Sequence, residues 1–119
     1  MKKGMKNMEI IKKYPETMDA RTAYKMMKSP DVKKMSEAES SILEVKSWLH
    51  YSDTDSKTGE IREILTIETV DGEMFGTVSE TFKREFFDIV AFFGDDVGDI
   101  KVIGGTSKSG RNFITCSVA

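Results

Sequence analysis

The chain has 119 residues, 39% of them apolar and 32% charged, and its formal net charge is −2. That length fits one domain with a modest core, and no run approaches the ~20 apolar residues that a membrane span needs. A mildly acidic total also argues against a protein that wraps duplex DNA by bulk electrostatics.

The charge is unevenly spread. Residues 1–30 carry eight Lys or Arg against three acidic residues, whereas residues 61–90 carry three against seven. Cys116 is the single cysteine, so no internal disulfide forms and a reducing cytoplasm is the expected compartment. The N-terminal stretch is basic but lacks the apolar segment of a signal peptide.

Residues 1–16 read as a loose basic lead, since Pro15 and the charge run disfavour a long helix. Met18, Ala23, Met26 and Met27 predict a short helix over residues 17–27, capped by Thr17 or Asp19. Ser29-Pro30 reads as a cap followed by a first helical residue, opening a second short helix to about residue 39. These pieces, residues 1–40, form an extension packed on the outside or one end of the domain at 41–119.

A first strand spans about 41–51. Leu43, Val45, Ser47, Leu49 and Tyr51 share the expected core face, and Glu44, Lys46, Trp48 and His50 the other. After a polar loop, a second strand covers 60–70, with Leu65 and Ile67 opposed to Arg62, Ile64 and Thr66. Asp71-Gly72 is a strong hairpin signal, because both positions of a tight primed turn need positive φ. The third strand follows over 73–78.

The segment SETFKREFFDIVAFFG, residues 79–94, places Phe82, Phe86, Ile89, Val90 and Phe93 on one helical face. Ser79 or Thr81 can cap its start and Gly94 close its end, and its phenylalanines read as core. A fourth strand over 100–103, a glycine-rich cationic loop over 104–111 and a last strand over 112–118 complete the chain. The order β-β-β-α-β-β is that of the OB-fold, a five-stranded barrel that commonly binds oligonucleotides. The fold class is thus all-β with helices, an OB barrel with a short N-terminal helical extension.

The loop 104–111 is the leading functional candidate. Its glycines expose backbone N–H groups, and Lys108 and Arg111 supply charge for phosphate. It lacks P-loop spacing and joins two strands, which excludes a nucleotide-triphosphate cradle. Trp48, Phe75 and Phe113 alternate with the core face and are the candidate platforms for bases, where each stack contributes about 1–3 kcal/mol. Lys46, Arg62, Lys108 and Arg111 are the candidate phosphate contacts. His50 has no nucleophile or carboxylate patterned around it, and Cys116 reads as a small buried hydrophobe. The acidic loop at 53–60 lacks the spacing of a calcium site, while Asp95, Asp96 and Asp99 could hold a divalent metal but read as an acidic turn facing water. No cofactor, metal or catalytic set is expected.

Read together, FGTVSETF, GTSKSGRNFITCSV, SPDVKKMSEA, the Trp48 strand and the KTGE loop resemble small single-stranded DNA-binding proteins of phages and mobile elements of Gram-positive bacteria. The resemblance runs from about Ala23 to the C-terminus. It implies an OB-fold, sequence-tolerant single-strand binding, and work in replication or recombination of the element. Single-stranded DNA is then the partner, with a homo-oligomer and replication proteins as further candidates and no membrane. The competing class is a protein-interaction module, a phage factor that binds a host protein, which the acidic middle of the chain favours.

Overall fold

The structure, a computed structural model, describes residues 8–119. Seven strands and two helices are assigned there: β1 (Met8–Tyr14), α1 (Ala20–Lys28), β2 (Lys33–Lys34), β3 (Ile42–Thr54), β4 (Ile61–Thr69), β5 (Met74–Thr77), α2 (Glu80–Phe93), β6 (Asp99–Thr106) and β7 (Asn112–Val118). A 3-10 turn covers Met35–Ala38. The strands pair in the order β2-β5-β4-β3-β6-β7, with β1 added on β3. The sheet curls into a half-barrel consistent with an OB-like fold.

The five-strand barrel expected from element order is thus too simple. Two extra strands precede β3, and among the described residues β7 does not pair with β5 to close the ring. Instead β2 runs parallel to β5, pairing Lys33 with Phe75 and Lys34 with Gly76. The two-residue strand and the 3-10 turn replace the second helix expected after Ser29. The loose lead expected over residues 1–16 falls partly on residues 1–7, outside the described residues. From Met8 the chain is β1, hydrogen-bonded antiparallel to β3.

One irregularity in β3 reorganises the core. Val45 pairs with Thr69 but Ser47 with Glu68, so Lys46 is an extra residue, a bulge. Side chains alternate with period two, so one extra residue switches every later side chain to the opposite face. Leu43 and Val45 face the main core before the bulge, and Trp48 faces it afterwards. Leu49 and Tyr51 turn outward, where Met18, Ala23 and Met26 cover them in a second cluster. The helix α1 that supplies this cover is capped by Asp19, whose carboxylate accepts from Thr22 N at 2.8 Å. That bond holds the Asp19 carboxyl below its ordinary range.

The other helix, α2, is capped by Ser79, whose hydroxyl accepts from Phe82 N at 3.1 Å, and Gly94 ends it at φ 93°. Phe82 and Phe86 are fully buried and Ile89 nearly so. Phe92 and Phe93 are not core as expected: they are 82% and 54% exposed at the end of α2. Lys83 is buried with its aliphatic stem, and its ammonium donates to the Glu63 carbonyl and the Glu80 carboxylate.

Candidate nucleic-acid interface

The aromatic platforms divide sharply by burial. Trp48 is wholly buried: its ring lies edge-on to Phe86 and Phe87 at 5.4 and 5.7 Å, and Nε1 donates to the Asp95 carbonyl at 2.9 Å. Phe75 is also buried, because it stands opposite Ile67 in register and shares its inward face. Neither ring offers a face to a base in this conformation. Both side chains face inward rather than outward as the alternation predicted, Trp48 through the bulge at Lys46 and Phe75 through its register.

Phe113 is different. It is 39% exposed, and it pairs across the β6–β7 hairpin with Gly105. A Cβ at Gly105 would lie 2.6 Å from Phe113 Cζ, so the ring rests directly on the glycine backbone. A side chain at 105 would lift it off. Alternation places Lys101, Ile103 and Gly105 on one face of β6, opposite Ser117, Thr115 and Phe113 of β7. Ile103 is 36% exposed there. Neither Lys101 nor Ile103 stood out in the sequence, although the alternation of Ile100 and Val102 with Lys101 and Ile103 carried the signal.

The turn beyond these strands is shorter than expected, because Gly104 and Gly105 belong to β6 and only residues 107–111 lie between strands. Ser107 N donates to the Arg111 carbonyl at 2.8 Å, Gly110 N to the Ser107 carbonyl at 2.9 Å, and Arg111 N to the Ser107 hydroxyl at 3.2 Å. Those amides are engaged internally. The turn therefore offers its two exposed cations, Lys108 and Arg111, more than a cradle of free N–H groups.

Three cavities that share lining residues lie in a row along the unpaired seam of the half-barrel. At one end, a cavity of about 610 Å³ lies against Ser36, Glu39, Ser79 and the hairpin residues from Gly104 to Thr106 and from Asn112 to Ile114. Ser36, Ser79 and Ile114 also line the next cavity, of about 510 Å³, with Lys33, Lys34, Ile64, Gly76 and Val78. Val78 continues into a third, of about 390 Å³, which Arg62 lines. The row of cavities thus extends from the β6–β7 hairpin to the start of β4.

Arg62 stands at its far end, 59% exposed and 3.4 Å from Asp53. Lys46 is separate: it lines a depression beside α1 with Pro15, Met18 and Asp19. Lys33 joins the groove unforeseen, its ammonium 3.1 Å from Glu73 and 5.5 Å from the Phe75 ring centroid. The outward face of β3 and β4 that an OB-fold commonly gives its ligand is here covered by α1, whose Met26 carbonyl accepts from Thr66 Oγ1 at 3.1 Å.

His50 is less exposed than a surface histidine: its Nε2 is 3.0 Å from a Glu63 carboxylate oxygen and its ring packs on Phe87. Among the described residues no group of three His, Cys, Asp or Glu could hold a metal, and no helix is long and apolar enough to cross a membrane.

A curled, half-open OB-like sheet is an architecture that commonly binds oligonucleotides. The comparison with known families agrees. The family model described as phage single-stranded DNA-binding protein matches residues 5–119, and the chain belongs to that family. No curated protein and no solved structure matches the chain significantly.

Proposed function

We propose that the protein binds single-stranded DNA in a sequence-tolerant way, without catalysis, during replication or recombination of a phage or mobile element in the host cytoplasm. The observation that carries this reading is the Phe113 ring held on Gly105 beside Lys108 and Arg111, at the mouth of the seam groove. Phe113 stacks on a base. Lys108, Arg111, Lys101 and, at the far end, Arg62 meet phosphates. Lys46 lies too far to the side to share that path and is kept as a secondary contact. Trp48 and Phe75 support the site only by filling the core beneath it.

Fluorescence anisotropy of a labelled oligo-dT tests the reading. With few cations engaged, binding is micromolar, and the salt slope stays shallow, since each neutralised phosphate adds about 0.7 to it for single strands. Duplex DNA bound as tightly as single strands would refute the proposal.

The protein-module reading keeps one supporting observation. Phe92 and Phe93 form an exposed aromatic pair at the end of α2, beside the acidic turn from Asp95 to Asp99. If Phe92→Ala and Phe93→Ala leave DNA binding intact but abolish association with a replication protein or a second copy of this chain, that surface serves a protein partner.

A further inference from the structure

In the cavity at the hairpin end of the groove, the polar side chains are mostly engaged within the protein. Ser79 accepts from Phe82 N and donates to the Ile114 carbonyl, and Thr106 donates to Asn112 Oδ1. The exceptions are the Ser36 hydroxyl and the Glu39 carboxylate, and only the latter is charged. It lines the cavity and has no hydrogen-bond or ion-pair partner among the described residues.

Glu39 is an exposed residue whose carboxylate reaches over the backbone of Gly104. The carboxylate occupies the space in which a Cβ of Gly104 would lie, so any other residue at 104 would displace it. The next residue, Ser40, holds φ at 72°, an uncommon conformation for a non-glycine residue that costs free energy. That strain is locked by Ser40 N donating to the Val102 carbonyl at 2.7 Å, while Glu39 N donates to the Ser36 carbonyl at 3.2 Å. Gly104 and Gly105 are consecutive in a strand, so Glu39 lies on the inward face of the hairpin and Phe113 on the outward one.

A carboxylate so placed repels phosphate. A strand in the groove must therefore turn its backbone towards Lys108 and Arg111 and offer Glu39 a base edge. Unpaired bases expose their Watson–Crick edges. Guanine alone presents two adjacent donors there, N1–H and N2–H, which a carboxylate accepts as a parallel pair. Cytosine and adenine each set one amino group beside an acceptor nitrogen, and thymine flanks its N3–H with two carbonyls.

We infer that Glu39 is a specificity-determining residue that makes this cavity a preferential site for guanine, in the nucleotide next to the one stacked on Phe113. The inference rests on the proposed groove.

Anisotropy titrations would compare labelled oligo-dT with the same strand carrying interspersed deoxyguanosines, spaced to prevent quadruplex formation. The wild-type protein should bind the guanine-bearing strand about fivefold more tightly. Replacing guanine by hypoxanthine, which lacks the N2 amino group, should remove most of that gain, and so should Glu39→Gln. A wild-type protein indifferent to guanine, or a preference that survives in Glu39→Gln or with hypoxanthine, overturns the inference. If the preference is absent while Phe113→Ala and Arg111→Ala still weaken oligo-dT binding, only the role of Glu39 fails. If binding is indifferent to Phe113 and Arg111, the groove itself is misplaced and the inference falls with it.

Discussion

Phe113 lies on Gly105 so closely that a Cβ at 105 would meet Phe113 Cζ at 2.6 Å and Cε1 at 3.0 Å. The glycine weakens its strand locally, since it has no side chain to pack, and the ring covers the gap. One side of the ring is thereby pinned to the backbone, which lowers the entropy lost when a base stacks on the other. Gly105→Ala should swing the ring away and weaken single-strand binding. Thermal stability should change little, because the atom that must move is the far end of a side chain. Paired melts and anisotropy titrations would check both halves of that expectation.

Phe113→Ala removes the stack and leaves the charges. Binding to oligo-dT should weaken by about 1–3 kcal/mol with an unchanged salt slope. The ring is 39% exposed, so the variant should remain folded. A variant that binds like the parent would show that bases do not stack there.

Lys108→Ala and Arg111→Ala act on the other component. Each should lower the slope of log K against log salt by about 0.7 and weaken binding at low salt, with the difference fading as salt rises. Lys101→Ala, on the same face as Phe113, should do the same if the strand continues along β6. Titrations at several salt concentrations would separate these effects from the stacking loss.

Trp48 behaves as core. Its native emission should be blue-shifted, insensitive to acrylamide and little changed by DNA, since the ring is wholly buried. Trp48→Ala should cost about 3–5 kcal/mol of stability, and any loss of binding should track the unfolded fraction. Substantial quenching by oligo-dT would mean that the ring becomes exposed on binding.

Cys116 is buried, with its Sγ 3.9 Å from the Phe82 carbonyl. Burial first, and the Glu85 charge second, push its thiol up to about 12 from 9.0. The native protein should therefore resist iodoacetamide at pH 8, while denaturant exposes a fully reactive thiol. The folded state favours the neutral thiol. Its stabilising contribution is complete below pH 9 and is lost as the pH rises from there towards about 12. Cys116→Ala should flatten the stability profile in that window.

Much of the molecule was legible from local pattern. The helical spacing of Phe82, Phe86 and Ile89, the Asp71-Gly72 turn and the alternation in β4, β6 and β7 are short-range signals, because periodicity and turn chemistry act within a few residues. They sufficed for the order of elements from β3 to β7, for the buried Cys116 and for the cationic hairpin turn. What they could not carry is anything set by a partner strand. The bulge at Lys46 exists only as a mismatch in register between β3 and β4, and it moved Trp48 inward. The strand character of Met8–Tyr14 comes from pairing with β3, not from the composition of a lysine-rich segment. The meeting of Phe113 with Gly105, of Glu39 with Gly104, and of Lys33 with the seam joins residues that are 8, 65 and tens of positions apart. From β3 onward, local sequence determined which elements form. Strand register, the bulge at Lys46 and the curl of the sheet decided which faces were buried and which side chains were left exposed.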